Sequence, residues 1–213
     1  MKVFSFLTEY MRSYTYVIIE GEHAFLVDPC EMEDVKMVLN GRIPEFAFLT
    51  HEHYDHVSGT EWARAQGAKI IASDACDRNL ADVKLNHSKY YGAFCAAQER
   101  LRDDPIPAVK PFVTHADVVF QDEMTMQWHE HGLFFKKLPG HSSGGACLLV
   151  DHEIMFSGDT IFRDLPSNPD LMCGSLSDLN QSVAWILSQS PDILIYPGHY
   201  EPFTIQERIE KEL

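Results

Sequence analysis

Over the first fifty residues, apolar and polar positions alternate in short runs, a period that suits strands and not helices. Lys2–Leu7, Ser13–Ile19 and His23–Val27 each read as a strand, the last two joined by the polar turn Glu20-Gly21-Glu22, which predicts an antiparallel meander. After Asp28-Pro29 the apolar spacing widens to Val35, Val38 and Leu39, predicting a helix over Glu31–Leu39 that stops near Gly41. Phe46–Leu49 is a short apolar strand, Gly59–Gln66 a helix ending at Gly67, and Lys69–Ala72 the next strand, so strand and helix alternate here. From Ser73 to about Arg102 the pattern is helical, and a proline-rich connector follows through Pro105, Pro107 and Pro111. Residues 73–111 are therefore expected to form a helical insert or lid.

The second half repeats this order. Val118–Phe120, Met124–Trp128, Leu133–Leu138, Ala146–Val150 and Glu153–Phe156 read as another meander, Leu176–Ser188 as an amphipathic helix, Ile193–Tyr196 as a buried strand and Thr204–Leu213 as a closing helix.

Composition narrows the class without naming it. The chain has 213 residues, 45% of them apolar and 23% charged, which fits one soluble globular domain over 1–213. A formal charge of −15 disfavours nucleic acid or an anionic membrane surface as a partner. A pair of divalent ions would return about +4 to one cleft, so a small anionic substrate is not excluded. No window approaches the ~18 apolar residues of a membrane span, and the first residues lack the apolar core of a secretion signal. Cys30, Cys76, Cys95, Cys147 and Cys173 are scattered and odd in number, which suits reduced thiols. The expected location is the cytoplasm and the expected partner a small molecule.

The chemistry concentrates in Thr50-His51-Glu52-His53-Tyr54-Asp55-His56, between the Phe46–Leu49 strand and the helix after Gly59. In an extended loop, residues two apart point the same way, so His51 and His53 can share one ion. Asp55 and His56 turn away toward a second, and both residue types suit zinc or iron. Further donors stand just past predicted strands, each preceded by glycine: Gly140-His141, Gly158-Asp159 and Gly198-His199. Glycine permits a sharp turn that presents the next side chain to a shared cleft. His23, His87, His115, His129, His131 and His152 lie outside such spacing and are read as ordinary histidines.

This set resembles the metal-ligand signature of the metallo-β-lactamase superfamily. The resemblance implies a four-layered αββα sandwich of the α+β class, with His51, His53 and His141 on one metal ion, Asp55, His56 and His199 on the other, and Asp159 bridging. Gly158-Asp159-Thr160-Ile161-Phe162, Asp170-Leu171, Gly174-Ser175 and Thr204-Ile205 with Glu207-Arg208 are similar to short glyoxalase-II-like hydrolases. Ser167-Asn168-Pro169 replaces their usual Gly-Arg, and the 73–111 insert is not typical of them. The implied activity is hydrolysis of a thioester or ester of a small acyl substrate, with a lactonase as the nearest rival and a metal-binding biosynthetic or regulatory protein behind it. Two divalent ions, zinc first with iron or manganese as alternatives, would generate hydroxide from water, and Asp55 would be both ligand and proton acceptor. Asp28, Thr50, Ser142 and Ser157 are candidates to orient the imidazoles, and Tyr54, Asn86, Tyr90, Tyr91 and Phe94 to shape the cleft or cover the acyl portion.

Overall fold

The computed structural model describes residues 1–97, 106 and 108–211. Two six-stranded sheets carry the architecture. In the first, β1 (Lys2–Leu7), β2 (Tyr14–Glu20) and β3 (His23–Val27) form the expected antiparallel meander. Helix α1 (Glu33–Leu39) then carries the chain to β4 (Pro44–Phe48), which pairs parallel with β3. Helices α2 (Tyr54–Val57) and α3 (Thr60–Ala65) lead to β5 (Lys69–Ser73), and α4 (Asp74–Leu80) and α5 (Tyr91–Ala97) precede β6 (Val118–Phe120), both strands again parallel to their neighbours.

The second sheet follows the same plan. Strands β7 (Glu123–Trp128), β8 (His131–Lys137), β9 (Ala146–Val150) and β10 (Ile154–Gly158) are antiparallel in sequence. Helix α6 (Leu176–Leu187) crosses to β11 (Leu194–Pro197), parallel to β10, and β12 (Phe203–Thr204) and α7 (Ile205–Glu210) close the chain. Ser175 caps α6 through the Asp178 amide, and Thr204 with Glu207 forms a capping box on α7, which fixes where both helices begin.

Side chains alternating across each strand sort into three apolar layers. Tyr16, Ile18, Phe25, Val27, Phe48 and Ile71 of the first sheet meet Phe135, Leu148, Val150 and Phe156 of the second. Their strand neighbours Val17, Leu26, Leu49, Ile70 and Ala72 point outward onto Val35, Leu39, Val57, Cys76 and Leu80 of the helices. Cys147, Leu149, Met155 and Ile195 do the same on the far side against Ile186 and Ile205. Helix, sheet, sheet and helix thus stack as the expected αββα sandwich, with the central period-two strands supplying two buried faces.

The long helix expected from Ser73 to Arg102 is interrupted. Helix α4 ends at Leu80, and a turn through Asn86 and His87 leads by a single 3-10 turn at Ser88–Tyr90 into α5, while residues 98–102 fall outside those described. The break has a physical cause: Asn86 is fully buried and spends its amide on the carbonyls of Leu80 (3.2 Å) and Phe112 (2.7 Å), which competes with continued helix. Helix α4 is also not a cover, since Cys76 and Leu80 belong to the layer against the first sheet. Strand β12 and the one-turn helix α2 escaped the hydrophobic pattern because each is too short to show a period.

Candidate metal centre

The carboxyl ends of β3, β4, β8, β10 and β11 open at one edge of the sandwich, and the loops leaving them bring all seven predicted side chains together. His53 Nδ1 lies 3.1 Å from His51 Nε2 and 3.1 Å from His141 Nε2. Asp55 Oδ2 is 3.3 Å from His56 Nε2 and 3.4 Å from His199 Nε2. Asp159 stands between these sets, 3.6 Å from His141 Nε2, 3.3 Å from His199 Nε2 and 3.6 Å from His56 Nε2. All seven are buried.

Outer partners decide which ring nitrogen faces inward. His141 Nδ1 faces the carbonyl of Asn168 at 3.0 Å and His199 Nδ1 that of Arg12 at 3.1 Å; a carbonyl only accepts, so each Nδ1 carries hydrogen. His56 Nδ1 donates in the same way to Asp28 Oδ2 at 2.9 Å. The Thr50 hydroxyl already donates to Asp28 Oδ2 at 2.7 Å, so toward His51 Nδ1, 3.1 Å away, it accepts. In the neutral rings the Nε2 atoms of His51, His56, His141 and His199 are then bare lone pairs aimed inward, and His53 meets those of His51 and His141 through its Nδ1. Converging lone pairs repel unless a cation lies among them, and tetrahedral ligands at 2.0–2.1 Å from zinc stand roughly 3.3 Å apart. Facing the centre, His56 Nε2 and Asp159 Oδ1 are buried without a hydrogen-bond partner among the described residues. The donor set therefore fits divalent ions held by nitrogen and oxygen, in groups formed by His51, His53 and His141, by Asp55, His56 and His199, and by His51, His56 and Asp159.

The two halves differ electrostatically. Burial pushes His51 and His53 well below the usual histidine range, and His141 below it, so these rings are neutral and ready to bind a cation. Burial acts the same way on His56 and His199, but Asp55, Asp159 and, for His56, Asp28 reverse it; His199 is lifted to about 9 and His56 well above its ordinary value. Asp55 and Asp159 are held low by those imidazoles despite their own burial. Without an ion, protons on His56 and His199 balance the carboxylates, and an ion would displace them.

Two of the four candidate orienting residues act on imidazoles. Asp28 takes the Thr50 amide (2.8 Å), the Thr50 hydroxyl and His56, and Thr50 in turn meets His51. Ser142 instead donates to Glu52 (3.1 Å) and Ser157 to the Gly158 carbonyl (3.3 Å), so neither orients a ring. The carbonyls of Asn168 and Arg12 do that work, and no side-chain pattern could have revealed them. Glycine serves different ends at two elbows: Gly158 has φ +53°, while at Gly198 a Cβ would lie 2.1 Å from Asp159 Oδ1 and 2.7 Å from His56 Cε1.

A cavity of about 230 Å³ opens over His53, Asp55, His141, Asp159 and His199, walled by Met11, Tyr91, Phe94, Phe162, Leu171 and Tyr200. No lysine or arginine is among the described residues lining it. Tyr91 and Phe94 reach it as expected; Asn86 is spent on backbone, Tyr90 is exposed, and Tyr54 packs below against Tyr10, Tyr91 and Phe112. His87, read from sequence as ordinary, also lines the cavity and stacks between His53 (3.9 Å) and Phe94 (4.2 Å). Its left-handed backbone, φ 63°, comes from the turn after Asn86, which its sequence neighbourhood does not advertise.

The family model for the metallo-beta-lactamase superfamily matches residues 10–199. A probable metallo-hydrolase of Streptococcus pyogenes serotype M6 is 25% identical over 211 residues, covering 96% of this chain and 86% of its own. A hydroxyacylglutathione hydrolase of Francisella tularensis subsp. holarctica is 22% identical over 199 residues, 91% of this chain but 65% of its own length. Among solved structures, the B3 metallo-beta-lactamase BLEG-1 superposes with a TM-score of 0.82 at 21% identity, covering 98% of this chain and 97% of its own. ETHE1 from Myxococcus xanthus follows at 0.68 and 22%, covering 97% and 81%. The sandwich, the site at its edge and a family match over nearly the whole length agree: the chain belongs to the metallo-β-lactamase superfamily.

Proposed function

We propose that this protein is a binuclear metal-dependent hydrolase that cleaves thioesters or esters of small, uncharged acyl groups. His51, His53 and His141 would hold one divalent ion, Asp55, His56 and His199 the other, and Asp159 would reach both. The observation that carries this reading is the convergence of imidazole nitrogens, with the rings of His51, His56, His141 and His199 each fixed by an outer hydrogen bond, around the Asp159 carboxylate, which lies 3.6 Å from His56 and His141 and 3.3 Å from His199. Two bound divalent ions supply Lewis acidity, lowering the pKa of water and polarising a carbonyl.

The chain's own groups do the rest. Asp55 faces the cavity as well as His56 and His199 and stays ionised, so its carboxylate can accept a proton from water and return it to a leaving thiolate or alkoxide. Asp28 and the carbonyls of Asn168 and Arg12 hold the rings in place, which removes reorganisation from the reaction. Tyr91, Phe94, Phe162 and Leu171 exclude water from an acyl group seated over the centre. Absence of lysine and arginine from the described lining favours a neutral acyl group over a carboxylated thioester. Zinc, iron and manganese all suit the donor set.

The test is turnover. Protein loaded in turn with zinc, iron and manganese is assayed on acyl thioesters, esters, lactones and β-lactams, with chelator-treated protein as control. Metal-dependent cleavage of neutral short-chain thioesters or esters ahead of carboxylated ones is expected. Cleavage of lactones alone would move the assignment to a lactonase, and no turnover by any metallated form would end it.

A further inference from the structure

A second cluster of metal-capable side chains lies at the other end of the sandwich, outside everything described above. His23 begins β3, Glu45 lies in β4, and His129 occupies the turn between β7 and β8. Asp28 lies five positions beyond His23 along the strand direction, roughly 16 Å at ~3.3 Å per residue, so this cluster is distinct from the centre. Its donor atoms all lie within 4.8 Å of one another.

The geometry is built on rigid backbone. Ala24 pairs with Pro44 and Phe25 with Phe46, which leaves Glu45 as the extra residue of a β-bulge. A bulge re-aims the side chain it carries. Here Glu45 Oε1 sits 2.7 Å from His23 Nδ1 and 2.9 Å from His129 Nε2, with Oε2 3.2 Å from the latter. The two imidazoles stack with centroids 3.4 Å apart and planes 26° apart, so both present a nitrogen to the same carboxylate from the same side. The side chains keep 45%, 35% and 31% of their exposure, enough for an ion to enter and to keep solvent ligands.

We propose that His23, Glu45 and His129 form an additional surface site for a divalent transition ion of the zinc class. Two imidazole nitrogens and a carboxylate are the ligands such ions prefer. On binding, each coordinating nitrogen gives its hydrogen to the other ring nitrogen, and Glu45 turns from accepting two hydrogen bonds to donating electron pairs. Because His23 and Glu45 belong to the first sheet and His129 to the second, the ion would staple the sheets at the end farthest from the cavity. The site would contribute to stability and not to turnover, and the inference does not rest on the hydrolase reading.

Two variants test it. His129→Gly removes a ligand and suits the positive φ of 51° at that position, so the turn is kept; Glu45→Gln keeps shape and removes charge. Zn²⁺ retained at equilibrium with micromolar free Zn²⁺ is counted for each, and Cu²⁺ is used to read nitrogen hyperfine coupling by electron paramagnetic resonance. Each variant is expected to retain one equivalent fewer than the parent chain and to lose the Zn²⁺-dependent part of its rise in Tm. His129→Gly should also remove one two-imidazole component of the Cu²⁺ signal, the component from the main centre remaining. Equal stoichiometry in parent and variants, or a difference seen only at millimolar Zn²⁺, overturns the proposal and leaves two histidines hydrogen-bonded to a glutamate.

Discussion

Glu52 lies within the histidine motif yet is turned away from the cavity, fully buried, between Asn79 of α4 and Ser142 of the loop after β8. Burial pushes its carboxyl up to about 7, against the pull of hydrogen bonds from Asn79 (2.7 Å) and Ser142 (3.1 Å). The folded chain therefore keeps the Glu52 proton up to about pH 7, whereas the unfolded chain releases it near 4.5. Stability falls as pH rises across that window and levels off above it. At ~1.4 kcal/mol for each tenfold change in proton affinity, holding the carboxylate charged above pH 7 costs on the order of 3 kcal/mol. Glu52→Gln removes the charge while its oxygen accepts from Asn79 and its amide donates to Ser142. In urea unfolding of chelator-treated protein, the variant should match the parent near pH 4 and exceed it by roughly 3 kcal/mol at pH 8, a midpoint shift on the order of 1 M. Comparing the two proteins cancels every other titration. A gap of the same size at both pH values would refute the argument.

Further outcomes follow from the same contacts. Asp28→Asn, which takes the charge from the His56 hydrogen bond, should weaken metal affinity about 10–100-fold in chelator competition while the secondary structure is unchanged. Gly198→Ala brings a Cβ to 2.1 Å from Asp159 Oδ1 and should abolish full metal occupancy, read by elemental analysis. Tyr16→Phe leaves the Pro197 carbonyl without its 2.5 Å donor but keeps the ring packed on Phe156, so unfolding should cost about 1–3 kcal/mol less. Metal uptake by stripped protein at pH 7 should release protons from His56 and His199, and should strengthen as pH rises toward 9. Calorimetry in buffers of different ionisation heat measures this, and heats independent of buffer would contradict it.

Strand and helix periods in the sequence were sufficient for most of the elements, and the family resemblance carried by the motifs implied their stacking as a sandwich, in which the central strands bury both faces and each amphipathic helix covers one. The seven inward side chains were legible for a related reason: closely spaced histidines and an aspartate after a strand, and three glycine elbows, are local patterns. What escaped is what the chain makes only by meeting itself. The carbonyls of Asn168 and Arg12 set the imidazole tautomers, yet every residue has a carbonyl, so no residue type marks them. His87 reaches the cavity because buried Asn86 breaks the helix and turns the chain left-handed, and Glu45 meets His129 across two sheets through a bulge. Local pattern thus determined the elements and the donor residues, whereas tertiary structure decided which nitrogen faces inward and what walls the cavity, since both depend on contacts between residues far apart in the chain.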